Sequence, residues 1–348
     1  MAIKAMLQQE IVLSILVISH NQRPYIARCL DSILAQRLKV PYEIIVSDDR
    51  SNDGTWQIIE QYAERHPVIH PIRCNSDECH PLTRSERCGW NKATVYKHSK
   101  GQFFVNIDAD DYLRSDDIYQ TQLDALLSHP ECAMCQQRVW QVRDGEPIDS
   151  GHAWPRHPIL KDSTVLDYSD IIQNDLIGVN PTYMIRRDTT MNPAEKYGKW
   201  YDDTVITYHH LQLGKVVFVD RADYVWVQYG TSISNSDKGW DRELLYALLP
   251  FHHANLFPQF KNLLLAQPNL NLVHIAKESI LRKIQLQDTT IQYIKQFKGF
   301  VSHYFANGQK DFMGKIRLAR ILLQYKQIRK GSHKDDKTLD KLYRLVMQ

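Results

Sequence analysis

The chain has 348 residues, with 43 Lys and Arg against 40 Asp and Glu and a net charge of +3 at pH 7. This length allows one large domain or two ordinary ones, and the composition is typical of a soluble globular protein. No apolar run reaches the roughly 18 residues that a membrane span needs, and we expect no secretory signal because the stretch before Ile11 is short and polar.

The first third of the chain alternates between predicted strands and helices. In chain order we expect strands over 11–19, 43–47, 70–73 and 103–107, helices over 25–34, 55–65 and 91–99, and a polar loop up to residue 90. Strands and helices that alternate with short links predict an α/β fold with a parallel sheet and right-handed crossovers.

Acidic residues cluster in the stretch FFVNIDADDYL, residues 103 to 113. Asp108, Asp110 and Asp111 follow a predicted buried strand, so they lie at the edge of the sheet where α/β proteins bind ligands. Clustered carboxylates repel one another unless a cation sits among them, which favours a divalent metal and a phosphate-bearing ligand. The alternative is a solvated acidic turn. A second predicted strand also ends in acids, Asp48 and Asp49.

The loop after the first strand, SHNQRPY, has neither GxGxxG nor GxxxxGK[ST], which argues against a dinucleotide fold and a P-loop. Three blocks in order, ILVISHNQRPYIARCLDSILAQ, EIIVSDDRSNDGTWQII and GQFFVNIDADDYL, resemble the N-terminal half of family-2 glycosyltransferases with the GT-A fold. The likeness covers about residues 11–115 well and continues more loosely to about 235. A mostly parallel, Rossmann-like central sheet with flanking helices is therefore expected.

The resemblance implies a nucleotide-sugar donor, with UDP as the expected nucleotide, and Mn²⁺ or Mg²⁺ bound by Asp110 and Asp108. Such hard cations prefer oxygen ligands and neutralise the leaving diphosphate. It places the donor against Ile18, His20, Asn21, Asp49, Arg84, Arg87, Asp108 and Ala109. Asp111 is expected to cap or orient the turn.

In the second half, KWYDDTVITYHHLQLGKVVFV resembles the family segment that carries the catalytic carboxylate. Counting back from Gly214 places Asp203 on the general base and Asp202 on its acidic neighbour. The alternative is a pair of acids at a helix N-terminus, favoured by the helix dipole. Tyr229 stands where the family often has a metal-binding His, which makes a metal ligand at that position doubtful.

Trp140, Trp154 and Trp200 lie in the half that should hold the acceptor, where they would either stack on sugars or fill the core. We expect an inverting transfer of a sugar to a hydroxyl of a saccharide or lipid-linked saccharide, in the synthesis of a bacterial surface polysaccharide such as O-antigen or capsule. The alternatives are a nucleotidyltransferase and an inactive GT-A binding module. No nucleic-acid partner is expected.

The expected domains are a GT-A domain over 1–238, with a donor half over about 11–115 and an acceptor half over about 116–238, and a helical region over 239–348. From Arg282 onward 15 Lys and Arg oppose 5 Asp and Glu, so this region either contacts an anionic membrane or has a solvated basic face. A cytoplasmic location is expected, with peripheral attachment to the inner face of the membrane left open. Cys132 and Cys135 form an isolated CxxC at the start of a predicted buried strand, and reduced, structural cysteines are expected.

Overall fold

The computed structural model describes residues 10–74, 84–143, 146–147, 155, 157–174, 176, 180–228, 253 and 256–266. The chain divides into two compact units, residues 1–233 and 234–348. The predicted helical region from 239 onward falls almost entirely outside the described residues, as does its basic part. The described helices include none that is long and apolar enough to cross a membrane.

In the part of the chain that the structure describes, twelve strands form two sheets. They are β1 Leu13–Ser19, β2 Tyr42–Asp48, β3 Ile69–Arg73, β4 Phe103–Asp108, β5 Tyr112–Leu113, β6 Cys132–Gln136, β7 Val139–Arg143, β8 Glu146–Pro147, β9 Val165–Leu166, β10 Tyr183–Arg186, β11 Lys215–Phe218 and β12 Tyr224–Gln228. The larger sheet has the order β3-β2-β1-β4-β10-β6-β11-β9. Its first four strands are parallel, as predicted, whereas β10 runs antiparallel to both neighbours and β9 runs antiparallel to β11.

Eight α-helices accompany these strands within the described residues. They are α1 Ile26–Leu34, α2 Thr55–Arg65, α3 Arg84–His98, α4 Ile118–Ser128, α5 Tyr168–Gln173, α6 Pro193–Tyr197, α7 Asp203–Leu211 and α8 Lys261–Ala266, with 3-10 turns at Asn180–Thr182, Gly198–Trp200 and Pro258–Phe260. The prediction for α2 is confirmed at both ends. The prediction of a loop up to residue 90 is wrong, because α3 begins at Arg84.

The sequence pattern did not predict the start of α3, because its first two turns, RSERCGW, are mostly polar and contain a glycine. That glycine has a packing role. A Cβ added at Gly89 would lie 2.3 Å from the carbonyl oxygen of Lys199, so only glycine allows α3 to approach the 198–200 turn this closely. Helix propensity was overridden here by a tertiary contact.

The core lies on the sheet strands, which explains their continuous apolar runs. All residues of β1 are buried except the half-buried Ile18, and the first five residues of β4 are buried. One face of α1 packs into this core, since Ile26, Cys29, Leu30 and Ile33 are buried. Cys132 and Cys135 are buried and free in β6, in agreement with the predicted strand.

The smaller sheet, β5-β12-β7-β8, was not anticipated. Its strands β7 and β12 are parallel, and β5 pairs antiparallel with β12 immediately after the acidic turn. This pairing brings β12 of the second half of the chain against the end of β4. The acidic turn is therefore held between the two sheets.

Candidate active site

Polar turns follow three neighbouring strands at one edge of the larger sheet. β1 lies between β2 and β4, with Ser19 in register with Asp48 and Ile18 in register with Asp108. The carboxyl ends of β1, β2 and β4 therefore meet, as the sequence predicted. The backbone joins them further, since the Ala109 N–H donates to the Ile18 carbonyl at 3.0 Å. Ile18 and Ala109, both expected to line the donor site, fix the acidic turn to β1.

Asn21 connects the turns after β1 and β2. It has a positive φ of 53°, its N–H donates to Ser51 Oγ at 2.7 Å, and its Oδ1 accepts from the Asn52 N–H at 3.0 Å. The buried Asp48 accepts bonds from the Ser51 N–H at 2.9 Å and from the Ser19 hydroxyl at 3.0 Å. These contacts rigidify the loop next to Asp49. The Oδ1 atom of Asn21 is bonded within this loop.

Asp49 is a buried carboxylate that faces positive side chains. Arg50 Nε lies 3.5 Å from Oδ1, and Arg87 Nε lies 3.6 Å from Oδ2. Oδ1 of Asp49 and Nε of Arg87 are both buried without a hydrogen-bond partner among the residues described. His20 Nδ1 lies 2.6 Å from the Asp49 carbonyl oxygen, and Asn21 Nδ2 lies 3.4 Å from His20 Nε2, which together favour the Nδ1–H tautomer. The structure brings His20, Asp49 and Arg87 together. Arg84 is the first residue of α3, and its side chain lies outside the described atoms.

Asp108 occupies the end of β4. Its side chain is 37% exposed, yet Oδ1 is buried with no hydrogen-bond partner in the described part of the chain. Burial, with the charges of Asp203 and Asp110, raises the pKa of Asp108 to about 6, while the Lys92 ammonium opposes this shift. Oδ1 of Asp108 thus lies toward Lys92, and the exposed remainder of the carboxylate can meet a cation or a ligand donor.

Lys92 is the site residue that the sequence reasoning missed. It lies on α3 with only 2% of its side chain exposed, its Nζ donates to Asp203 Oδ1, and the same Nζ lies 3.8 Å from Asp108 Oδ1. Burial alone would lower the pKa of Lys92, but the carboxylates of Asp108 and Asp203 outweigh it and raise this pKa above its ordinary value. One signal was present, since helical spacing places Lys92 on the same face as Val95 and Tyr96, which are buried.

Lys92 also changes the argument for a metal. We expected the repulsion among the clustered acids to require a bound cation. The ammonium of Lys92 supplies part of that positive charge. The described residues contain no group of three or more His, Cys, Asp or Glu arranged to hold a metal. Asp108 and the half-buried Asp110 still form a two-carboxylate oxygen set that fits Mg²⁺ or Mn²⁺ when a ligand supplies further oxygens. The residues therefore fit a metal held jointly with a diphosphate.

Asp111 turns away from this site. It is 2% exposed, and it accepts hydrogen bonds from the Tyr224 hydroxyl and from the Val227 N–H at 2.8 Å. Both donors belong to β12, so Asp111 attaches the acidic turn to the smaller sheet. This is the orienting role expected for it.

Asp202 and Asp203 begin α7. Asp202 is the N-cap and accepts from the Val205 N–H at 2.8 Å, while Asp203 stands in the first turn with 39% of its side chain exposed. Burial raises the pKa of Asp202 to about 6, against the helix N–H groups that lower it. The cap therefore uses Asp202, and Asp203 faces Lys92.

The aromatic residues expected at the acceptor are only partly described. Trp200 is half-buried in the turn before α7, with Lys199 Nζ 5.2 Å from its ring centroid. Trp140 lies on β7 with Arg114 Cζ 4.4 Å from its ring. Trp154 and Tyr229 lie outside the described residues.

The sheet with its acidic edge is of the GT-A type. At that edge the carboxylate of Asp203 lies beside Asp108. Staphylococcus aureus TarS 1–349, solved in complex with UDP-GlcNAc, shares this fold with a TM-score of 0.60 at 18% identity over 93% of each chain. The model of glycosyl transferase family 2 matches residues 14–188, so the chain belongs to that family, as the sequence motifs predicted.

Curated relatives agree with this family. Uncharacterised proteins of Mycobacterium tuberculosis are 34% identical over 140 residues, which is 40% of this chain and 38% of theirs. A putative teichuronic acid biosynthesis glycosyltransferase of Bacillus subtilis, TuaG, is 27% identical over 179 residues, 51% of this chain and 64% of that protein. The match spans less than two thirds of each relative.

Proposed function

We propose that the protein is an inverting glycosyltransferase that moves a sugar from a UDP-sugar to a hydroxyl of a saccharide. The observation that carries this proposal is the convergence of Asp49, Asp108 and Asp203 at one sheet edge of a family-2 chain. The transfer needs a hydrogen-bond acceptor for the nucleobase, a ligand for the cation that balances the phosphates, and a general base for the acceptor hydroxyl. We assign these tasks to Asp49, Asp108 and Asp203 in turn.

The nucleobase would lie against Asp49. Its carboxylate would accept the imide N–H of uracil, since Oδ1 has no hydrogen-bond partner among the described residues, and Arg87 and His20 border the same place. Asp108 lies on the ribose and phosphate side. Asp108 and Asp110 would hold Mn²⁺ or Mg²⁺, which supplies charge neutralisation for the departing diphosphate when it is bound.

The acceptor hydroxyl loses its proton to Asp203 as its oxygen attacks the anomeric carbon. The new C–O bond forms while the bond from that carbon to the diphosphate oxygen breaks, and UDP leaves with the bonding electrons. A single displacement inverts the anomeric configuration. A carboxylate suits this task because the hydroxyl becomes acidic only as the bond forms. Asp202, used as the helix cap, orients α7 in this assignment.

A saccharide acceptor in surface-polymer synthesis is supported by the names of the relatives. TuaG is described for teichuronic acid biosynthesis, and TarS is a poly(ribitol-phosphate) β-N-acetylglucosaminyltransferase. A chondroitin synthase of Escherichia coli is 26% identical over 152 residues. We assign this chain to the same broad task, in the cytoplasm, where nucleotide sugars are the donors.

The test is UDP release from a panel of UDP-sugars, including UDP-GlcNAc, with Mn²⁺ and then with a chelator. Asp203→Asn should keep UDP affinity within about threefold and lower turnover at least about 100-fold, because the amide cannot accept the proton. Asp124→Asn, on an exposed position of α4, is the matched control and should leave both values unchanged. Unchanged turnover in Asp203→Asn removes Asp203 from the base role, and the absence of metal-dependent UDP release from every donor refutes the function.

A further inference from the structure

One face of α3 contacts the segment that leads into Asp203. Glu86 Oε1 pairs with Lys199 Nζ at 2.7 Å, Gly89 packs on the Lys199 backbone, and Lys92 donates to Asp203. Positions 86, 89 and 92 follow one another by three residues, so they share one side of the helix. Two of these contacts hold Lys199, and the third, from Lys92, reaches the carboxylate of the candidate base itself.

The same helix also reaches the donor side. Arg87 lies 3.6 Å from the carboxylate of Asp49, and Lys92 Nζ lies 3.8 Å from Asp108 as well as bonding Asp203. Lys92 is nearly fully buried, whereas each of its two carboxylate partners is more than one third exposed. A buried ammonium needs both partners, since a charge without them is strongly destabilising inside a protein. The carboxylates, by contrast, present their other atoms to the open side.

We propose that Lys92 is a positioning residue that acts through Asp203, holding the carboxylate of the candidate base at a fixed place beside Asp108. This inference rests on the proposed function. Lys92 binds Oδ1 of Asp203, which assigns Oδ2 to the acceptor hydroxyl and to the proton it releases. A base held by a rigid helix keeps one orientation, and orientation supplies much of the rate of a two-substrate displacement.

The experiment is a mutant cycle in the full-length chain, with UDP-GlcNAc, or the panel member that gives the fastest UDP release, as donor. The variants are Lys92→Met, Lys92→Arg, Asp203→Asn and the double variant Lys92→Met/Asp203→Asn. Lys97→Met is the matched control, because Lys97 is an exposed lysine on the same helix. Turnover, donor KM and melting temperature are measured for each.

Lys92→Met should lower kcat about 100-fold with the donor KM within about threefold, and Lys92→Arg should recover at least about tenfold of the loss. In the Asp203→Asn background the same change should alter kcat less than about threefold, because a residue that acts through Asp203 has nothing left to position. Lys97→Met should keep kcat within about threefold of wild type. Equal losses in both backgrounds, or a raised KM with unchanged kcat, would overturn the proposal.

Melting temperatures distinguish a failure of this inference from a failure of the proposed function. Asp203→Asn should raise the melting temperature of Lys92→Met by about 3 °C or more, since it removes a carboxylate that has lost its cation. If Lys92→Met does not fold, Lys92→Arg decides: kcat within about tenfold of wild type supports the proposal, and kcat as low as in Asp203→Asn overturns it. If wild type releases no UDP from any donor, the function fails and the catalytic role of Lys92 falls with it, whereas the melting comparison still reports the pairing.

Discussion

His210 makes the stability of the fold depend on pH. Its ring is fully buried in α7, Nδ1–H donates to the Ile206 carbonyl at 2.7 Å, and Phe104 and His209 meet the ring edge-on. Burial, followed by the neighbouring His209, lowers the pKa of His210 from 6.5 to about 3. At pH 5 the folded protein therefore keeps this ring neutral, while the unfolded chain binds a proton there.

A pKa that is lower in the folded state gives stability that is complete above about pH 6.5 and is lost as pH falls toward 3. With the two values for His210, the free energy of unfolding should fall by about 2 kcal/mol between pH 7.5 and pH 5. Asp202 has a raised pKa of about 6 and contributes with the opposite sign, so the total change in wild type is smaller. The contribution of His210 must be measured as a difference between variants.

The assay is urea unfolding of wild type and His210→Leu at pH 7.5 and pH 5. Leucine has a similar volume and cannot bind a proton, so the variant should lose about 2 kcal/mol less than wild type over this range. His98→Leu is the control, because His98 makes the same bond to a carbonyl four residues earlier, Thr94 at 2.9 Å, from an exposed ring. Equal losses in wild type and His210→Leu would refute the reasoning.

Two further variants test how the site is held. Tyr224→Phe removes one of the two donors to buried Asp111. The free energy of unfolding, measured with urea, should fall by about 1–3 kcal/mol. A change below about 0.5 kcal/mol would show that the bond does not hold the turn. Gly89→Ala places a carbon 2.3 Å from the Lys199 carbonyl and should lower the melting temperature and UDP release together. If Gly89→Ala keeps the wild-type melting temperature and the wild-type rate of UDP release, α3 and the 198–200 turn are not in close contact in solution.

The strand-end part of the candidate site was predictable because its geometry follows from strand order. Strands β1, β2 and β4 are buried along nearly their whole length, so their apolar runs are unambiguous and the residues that follow them are forced to one edge. The parallel order then places Asp49 and Asp108 at the same edge of the sheet, one strand apart on either side of β1, without any side-chain detail. The position of the acids is a consequence of topology.

The remainder depends on contacts between distant parts of the chain. Lys92 and Asp203 are 111 residues apart, and Asp111 and Tyr224 are 113 apart. A lysine in a predicted helix is most often solvated, and no local pattern reveals the carboxylates it will meet. The smaller sheet was missed for the same reason, since β5 and β8 have two residues each and form only by pairing with β12 and β7.

The charge balance of the site follows from these long-range contacts. Three carboxylates, Asp108, Asp110 and Asp203, share one edge, and Lys92 neutralises part of their charge from below. A nucleoside diphosphate brings further negative charge, which one ammonium already bonded to Asp203 cannot balance. In our proposal a metal is therefore needed for the donor rather than for the folded protein. Chelation should abolish UDP release while leaving the melting temperature of the ligand-free protein unchanged, and a fall in that melting temperature on chelation would contradict this division of charge.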